Sequence, residues 1–262
     1  MNSILKRIIE NKKKEIAIRQ ISLPLHKLKS KLAQLQKNRG FAKKVSSLGK
    51  VNIIAEIKKA SPSLGLIRAD FNYKKIAKDY EAGGASAISV LTEEKYFKGS
   101  LNYLNEIRKT VSLPLLRKDF IFEPYQIYES KYFGADAILL IAALMNENKL
   151  CELINLANTL KLDCLVEVHD ESDVEKIKDC KEEFVLGINN RDLNDFKVDI
   201  QAAERLIPLI PKGKTIVVES GIHSFNDIKL YKEHGINAFL IGESLMKSDN
   251  IRKKLKNLMG EK

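Results

Sequence analysis

Eight short apolar runs, separated by charged segments with helical spacing, constrain the fold of this chain more than any other feature. The runs are rich in Ile, Val and Leu, and they are Val51–Ile57, Ala87–Leu91, Leu113–Leu116, Ala137–Ile141, Cys164–Val168, Phe184–Ile188, Thr215–Val218 and Ala238–Ile241. Strands that alternate with helices form a parallel sheet. Eight such units close naturally into a barrel, for which roughly 250 residues are typical. No run is followed by the G-x-G-x-x-G turn of an open dinucleotide-binding sheet. The sequence therefore predicts an α/β fold, a (β/α)8 TIM barrel, over residues 51–262.

The first 50 residues precede the first run and carry most of the positive charge. They hold 14 Lys and Arg against 2 acidic residues, whereas the whole chain has a net charge of +11. Two amphipathic stretches, Ile4–Ile18 and Leu25–Gln36, predict helices that cover the bottom or the flank of the barrel. Because no Pro/Gly/Ser-rich linker follows them, we expect a single domain over residues 1–262, with 1–50 as a helical extension. The charge most often marks a solvated helix face, and attraction of nucleic acid or an anionic membrane is the alternative.

Composition argues against several classes of protein. The three cysteines form no C-x-x-C pair and are too few for a disulfide framework, and Cys164 lies within an apolar run as a core residue would. The four histidines are scattered, which predicts no metal site. No apolar run reaches the ~20 residues that span a bilayer, and the N-terminus lacks a signal-peptide core. We therefore expect a cytoplasmic protein with no membrane contact.

Polar residues gather where the predicted strands end. Glu56 and Lys58 share one face of the first run, although charged side chains are costly in a buried strand. Only the fourth run, which ends in Leu139-Leu140-Ile141, is plain. The other ends carry Thr92-Glu93-Glu94, Arg117-Lys118-Asp119-Phe120, Glu167 with His169, Asn189-Asn190-Arg191-Asp192, Glu219-Ser220-Gly221 and Gly242-Glu243-Ser244. Active sites of these barrels lie at the carboxyl ends of the strands, so this sorting predicts an active site.

Two chemistries converge at these ends. Ser61, Ser220-Gly221 and Gly242-Glu243 follow the first, seventh and eighth runs, and the last two are where such barrels commonly bind phosphate through backbone N–H groups. Acid–base chemistry is the second theme. Groups of both signs, whose neighbours shift one another's pKa values, are Lys58, Lys118, Glu56, Glu167 and Glu219. Position alone does not separate a proton donor from a Schiff-base lysine.

These motifs closely resemble the indole-3-glycerol phosphate synthase family of tryptophan biosynthesis, over almost the whole chain. The matching segments are IIAEIKKASPS at 53–63, SVLTEEKYFKGS at 89–100, LLRKDFIFEPYQIYES at 115–130, ADAILLIAALM at 135–145, LVEVHDESD at 165–173, GINNRDL at 187–193, VVESGI at 217–222 and NAFLIGESLM at 237–246. The resemblance implies a carboxy-lyase that needs no cofactor or metal. It closes the ring of 1-(2-carboxyphenylamino)-1-deoxyribulose 5-phosphate and releases CO2 and water to give indole-3-glycerol phosphate.

The resemblance also implies roles for individual residues. Lys118 is the expected general acid, Glu167 the carboxylate that stabilises positive charge or acts as base, and Lys58 the contact for the substrate carboxylate and a second acid. Residues that hold and orient these groups or the substrate are Glu56, Asn189, Arg191 and Glu219. Phosphate is assigned to Ser61, Ser220, Gly221, Gly242 and the amide of Glu243, and an apolar wall against the aromatic ring to Phe120 and Leu140. His169 and Arg117 are expected to be structural or supporting.

The nearest alternative is another phosphosugar barrel enzyme of the same pathway, such as a phosphoribosylanthranilate isomerase or a tryptophan synthase α-like lyase. The isomerase requires a Cys and Asp pair at strand ends, and none of the three cysteines lies there. The lysine pair Lys58 and Lys118 with Glu167 is the discriminating feature. A nucleic-acid-binding protein with an inactive barrel is the other alternative, and it predicts steeply salt-sensitive binding. We expect a monomer that binds a small anionic substrate and no nucleic acid.

Overall fold

The computed structural model describes residues 3–32, 37–192 and 197–261. Eight parallel strands form a closed barrel, in which each strand pairs with the next along the chain and the last pairs with the first. The strands are β1 (Asn52–Ile57), β2 (Ala87–Leu91), β3 (Leu115–Lys118), β4 (Ala137–Ile141), β5 (Asp163–Val168), β6 (Val185–Asn189), β7 (Ile216–Glu219) and β8 (Ala238–Ile241). The predicted barrel is confirmed. The third strand runs two residues further than predicted, so Lys118 is its last residue.

Helices surround the barrel and precede it. They are α1 (Ser3–Ser22), α2 (Leu25–Lys31), α3 (Phe41–Val45), α4 (Tyr73–Ala82), α5 (Leu101–Thr110), α6 (Pro124–Tyr132), α7 (Glu147–Thr159), α8 (Glu171–Ile177), α9 (Ala202–Leu206), α10 (Phe225–Glu233), α11 (Glu243–Met246) and α12 (Ile251–Met259). A two-stranded hairpin, Ala60–Ser61 with Gly65–Leu66, follows β1. Among the helices described, none is both long and apolar enough to cross a membrane.

The side chains on the two faces of each strand pack into two different layers of the hydrophobic core. Successive side chains alternate between faces, so Leu116 points into the barrel and packs with Leu139 and Leu165. Residues of opposite parity, such as Leu115 and Leu140, pack against the outer helices in a second and larger core. The apolar interior layer ends at the carboxyl ends of the strands, where the inward-facing residues are charged. The site therefore lies where the inward-facing residues change from apolar to charged.

The N-terminal helices reach both ends of the barrel. Phe41 and Val45 of α3 are fully buried in the interior core at the bottom, where the amide of Ala42 donates to Asp163 Oδ2 at 2.9 Å. At the other end, Leu5 and Ile8 of α1, one turn apart, line the cavity at the mouth. The expectation that the extension covers only the bottom or the flank was therefore wrong for the start of α1. The described part of the predicted helix Leu25–Gln36 ends at Lys31, and residues 33–36 and Leu193 lie outside the described residues.

Two of the three cysteines form a disulfide, which was not expected from their number and spacing. Cys151 on α7 is bonded to Cys180, which follows α8, across a separation of 29 residues. Packing of neighbouring helices brings them together, and sequence spacing alone does not reveal it. Cys164 is free and fully buried, as predicted for a core residue.

Candidate active site

A cavity of about 370 Å³ opens at the carboxyl ends of the strands. Its lining includes twelve of the fourteen predicted site residues: Glu56, Lys58, Ser61, Lys118, Phe120, Glu167, Asn189, Arg191, Ser220, Gly221, Gly242 and Glu243. The exceptions are Glu219 and Leu140. The polar strand ends therefore converge on one space, because parallel strands of a closed barrel bring their carboxyl ends to the same rim.

Lys118 lies at the centre of the charged groups. Its Nζ is 2.5 Å from Glu219 Oε2 and 3.7 Å from both Glu56 Oε2 and Glu167 Oε2. The three carboxylates project from β1, β5 and β7, and each is almost fully buried. Burial by itself lowers the pKa of Lys118, but Glu219, Glu56 and Glu167 outweigh it and hold the pKa above its usual value. Lys118 is therefore an ammonium ion at neutral pH.

Glu219 lies beneath the cavity rather than in its wall. It is 1 % exposed, and Lys118 is the only cation within 4 Å of it among the described residues. Glu219 was expected to hold and orient the catalytic groups or the substrate, and the structure places its side chain against the ammonium of Lys118, outside the cavity lining. Burial, together with the negative charges of Glu167 and Glu56, raises the pKa of Glu219 to about 7 despite Lys118. This carboxyl can gain or lose a proton near neutral pH.

Lys58 and Glu56 form a second ion pair at the rim. Lys58 Nζ lies 2.6 Å from Glu56 Oε1, so Glu56 bridges the two lysines of the site. Burial raises the pKa of Glu56, but Lys58 and Lys118 outweigh it and lower the pKa below its usual value. The Lys58 side chain is 17 % exposed and remains accessible from the cavity.

Glu167 is held ionised more strongly. Burial opposes its ionisation, but His169 and Lys118 lower its pKa to about 2. Among the three carboxylates around Lys118, the environment thus separates an ionised Glu167 from a readily protonated Glu219. Such a separation of pKa values is typical of acid–base sites.

The loop after β7 forms the side of the cavity opposite the apolar wall. Ser220 and Gly221 both have left-handed backbone conformations, with φ of 67° and 78°. Left-handed conformation is unusual for serine, and such strain concentrates at functional sites. Ser220 Oγ donates to Asn189 Oδ1 at 2.8 Å, and the same oxygen accepts from the amide of Arg191 at 3.0 Å. Asn189 thereby fixes two of the loops that line the cavity.

Apolar side chains form the opposite wall. Phe97 and Phe120 both line the cavity, and their rings are tilted by 45° with centroids 6.3 Å apart. Leu139 and Ile141 of β4 line the cavity, whereas Leu140 points outward into the helix-covered core. The prediction of Leu140 was wrong by one residue, and strand alternation is the reason. Two further apolar lining residues, Leu5 and Ile8, come from α1 and were missed because the extension was not expected at the mouth.

Two glycines beneath the carboxylates were only partly recognised. A Cβ at Gly187 would lie 2.5 Å from Glu219 Oε1, and one at Gly242 would lie 2.3 Å from Glu56 Oε1. Real Cβ atoms do not approach other atoms this closely, so each glycine leaves the space that a carboxylate occupies. Gly242 was assigned to phosphate alone, and Gly187 to nothing. The register between neighbouring strands places each glycine beside its carboxylate, and this register cannot be read from the sequence of a single strand.

Fold and site together define a (β/α)8-barrel enzyme with acid–base groups at the carboxyl ends of its strands. The chain belongs to the indole-3-glycerol phosphate synthase family, whose model matches residues 5–258. An indole-3-glycerol phosphate synthase of Legionella pneumophila strain Paris is 49% identical over 259 residues, which cover 99% of each chain. One of Alkaliphilus metalliredigens is 44% identical over 255 residues, 97% of each chain.

Solved structures of low sequence identity share the barrel. A 3-hexulose-6-phosphate synthase from Salmonella typhimurium is 14% identical with a TM-score of 0.63, over 80% of this chain and 97% of that one. A tryptophan synthase α-subunit from Pyrococcus furiosus, also 14% identical, has a TM-score of 0.58 over 80% and 99%. At this identity the likeness supports the fold alone.

Proposed function

We propose that this chain catalyses the synthesis of indole-3-glycerol phosphate from 1-(2-carboxyphenylamino)-1-deoxyribulose 5-phosphate, as a carbon–carbon lyase of the carboxy-lyase class. The observation that carries the proposal is Lys118, which is surrounded by three carboxylates in a cavity with one apolar wall. The family membership and the names of its relatives support the same reaction.

In the first step, the aromatic carbon that bears the substrate carboxylate attacks the ketone carbon of the sugar chain. The carbonyl oxygen becomes an alkoxide as the carbon–carbon bond forms, and it takes a proton from Lys118. A lysine with a raised pKa can act as this acid, because an alkoxide is more basic than the amine left behind. Glu219, 2.5 Å from Lys118 Nζ, is placed to return a proton to that amine.

Ring closure leaves positive charge on the substrate nitrogen until CO2 departs. The proposed role of Glu167 is to stabilise this charge, since its low pKa keeps it ionised during ring closure and loss of CO2. Lys58 is proposed to hold the carboxylate before its loss. Dehydration then removes the new hydroxyl group as water, with Lys58 as the second acid and Glu167 as the base.

The remaining cavity residues are proposed to bind the rest of the substrate. The phosphate is assigned to Ser61, Ser220, Gly221, Gly242 and the amide of Glu243, and Arg191 is proposed to contact the substrate from the loop after β6. Phe120, with Phe97, is proposed to pack against the aromatic ring and keep water from it. These proton transfers need only side chains of this chain, so we propose no cofactor or metal.

We further propose that residues 1–262 act as one domain and as a monomer. In support of a single domain, α1 of the extension contributes Leu5 and Ile8 to the cavity that the barrel strands form. A cytoplasmic location and the absence of nucleic-acid binding stay predictions.

The test of the function is a fluorescence assay of indole formation with the purified protein and the anthranilate-derived ribulose phosphate. If the proposed function is correct, we expect the fluorescence of the indole product to rise, with release of one CO2 per turnover. A protein that is folded and binds the substrate but forms no indole would rule the function out.

Inorganic phosphate is expected to inhibit the reaction competitively, raising the KM without changing kcat, because it occupies the loops assigned to the substrate phosphate. Initial rates in phosphate should be compared with rates in chloride at the same ionic strength, which controls for charge screening. A fall in kcat at unchanged KM, or no inhibition at all, would contradict the assignment of these loops.

The Gly187→Ala variant is expected to lower kcat roughly ten- to a hundredfold, because the added methyl group displaces Glu219 from Lys118 and small displacements are costly in catalysis. Gly235→Ala is the matched control. No atom lies within 4 Å of a Cβ there, and its φ of 78° predicts a loss of stability alone. Steady-state kinetics with thermal unfolding of both variants separates the two effects. Unchanged kcat in Gly187→Ala would remove Glu219 from the mechanism.

A further inference from the structure

His169 lies just outside the cavity, between two carboxylates. Its Nε2 is 3.1 Å from Glu167 Oε1, and its Nδ1 is 3.7 Å from Asp173 Oδ2. The other oxygen of Glu167 faces Lys118 at 3.7 Å. The carboxylate of Glu167 is therefore contacted from two sides, by an ammonium in the cavity and by an imidazole behind it. His169 is not part of the cavity lining.

The start of α8 holds His169 in this place. Asp170 caps the helix by accepting from the amide of Asp173 at 2.9 Å, which fixes Asp173 in the first turn. Asp173 Oδ2 then accepts from the amide of His169 at 3.2 Å, and its Oδ1 lies 3.0 Å from Lys176 Nζ. Lys176 also donates to the carbonyl of Ala142, 3.0 Å away, so α8 is tied to the turn after β4.

The charges around His169 favour the imidazolium. The side chain is 11 % exposed, and burial by itself would lower its pKa. Asp173 and Glu167 outweigh burial and raise the pKa of His169 to about 10. The charged groups that face His169 directly or through these two carboxylates are Glu167, Asp173, Lys176, Lys118, Glu219 and Glu56. At neutral pH the imidazolium is thus retained, and it is lost only as the pH rises through about 10.

We propose that His169, held by Asp173, is a positioning residue that keeps Glu167 ionised and turned toward Lys118. Glu167 lies in a buried space with two further carboxylates, Glu56 and Glu219, and the ammonium group of Lys118 contacts all three. Of these three carboxylates, Glu167 is the one that His169 also contacts. A protonated or rotated Glu167 cannot stabilise a cation, so this inference rests on the proposed function.

The kinetic test compares His169→Gln, Asp173→Asn and the double variant with the natural protein. We expect kcat at neutral pH to fall roughly tenfold in His169→Gln, because the carboxylate is free to rotate, while KM changes little. The acid limb of kcat/KM is expected to move upward by about 1–3 pH units, the usual effect of one neighbouring charge. Asp173→Asn should shift the limb in the same direction and add nothing in the His169→Gln background. His234→Gln, at an exposed histidine, is the control.

A second measurement does not depend on catalysis. Imidazole resonances followed by NMR between pH 5 and 10.5 should show His169 charged throughout the neutral range. Glu167→Gln is expected to lower the pKa of His169 by at least about one unit. This readout requires only folded protein.

The outcomes separate the two proposals. If the natural protein forms no indole but His169 titrates as described, the proposed function fails and the ion pair stands. If indole forms while His169→Gln retains the natural kcat and pH profile, the positioning role is overturned. A His169 that titrates near pH 6.5 in the natural protein would also overturn it.

Discussion

The Lys118→Ala variant is expected to lose about two to four orders of magnitude in kcat, the range in which one general acid contributes to an enzymatic rate. Lys118 is the only cation within 4 Å of Glu219 among the described residues, and it approaches two further carboxylates. Its removal takes away the proposed proton donor and also the positive charge that holds the three carboxylates in place. Single-turnover rates at saturating substrate measure the loss directly.

The variant should remain folded. Without Lys118, Glu219 can hold a proton, since its pKa is already about 7, so no isolated buried charge has to remain. Circular dichroism and competition by inorganic phosphate, which does not contact Lys118 in the proposed site, check this. Lys78→Ala, at an exposed position of α4, is the matched control and should keep the natural kcat. Near-normal turnover in Lys118→Ala would exclude Lys118 as the acid.

The Arg117→Met variant is expected to lower the free energy of unfolding by about 3–5 kcal/mol, the usual cost of breaking a buried ion pair. Arg117 is fully buried on the outer face of β3, where it lies 3.0 Å from both Asp119 Oδ2 and Glu129 Oε2. It also donates to Thr92 Oγ1 at 3.1 Å and Ser130 Oγ at 3.0 Å. Methionine fills the volume but leaves these acceptors without their donor.

Urea and thermal unfolding measure this loss of stability, and we expect the midpoint of thermal unfolding to fall by roughly 10 °C. Arg205→Met removes an exposed pair with Asp199 at 2.6 Å and should cost no more than about 1 kcal/mol. Equal losses in the two variants would contradict the assigned role of the buried pair.

The difference between Arg117→Met and the natural protein should also depend on pH. Burial raises the pKa of Asp119, but Lys12 and Arg117 outweigh it and hold the pKa well below its usual range. A lowered pKa contributes stability above the ordinary value of about 3.9 and loses it as the pH falls below that value. The two stability curves are therefore expected to converge in acid, and parallel curves would contradict the argument.

Local sequence was sufficient for the barrel and for most of the site. Hydrophobic runs and polar strand ends placed Glu56, Lys118 and Glu167 at one rim, because the geometry of a parallel barrel makes strand ends equivalent. The boundary of β3 was less accurate, since Arg117 and Lys118 are charged and do not look like strand residues. Lys118 continues β3 because three carboxylates from other strands compensate its charge.

What the sequence could not supply was contact between distant segments. Lys12 lies in a run of three lysines that reads as a solvated helix face, yet it is fully buried, 2.9 Å from Asp119 Oδ1 and 2.7 Å from Glu15 Oε2. Its burial depends on where α1 docks. The pairing of Glu219 with Lys118 and the space left by Gly187 likewise depend on register between strands.

The charge balance around Lys118 has a consequence for substrate binding. Glu56, Glu167 and Glu219 are matched by Lys58, Lys118 and the imidazolium of His169, so the resting site is close to electroneutral. With the substrate carboxylate beside Lys58, as proposed, the site becomes negative, which raises the pKa of Glu219 further. Near neutral pH we therefore expect substrate binding to be accompanied by proton uptake from solvent, and the affinity to decline as the pH rises above about 7.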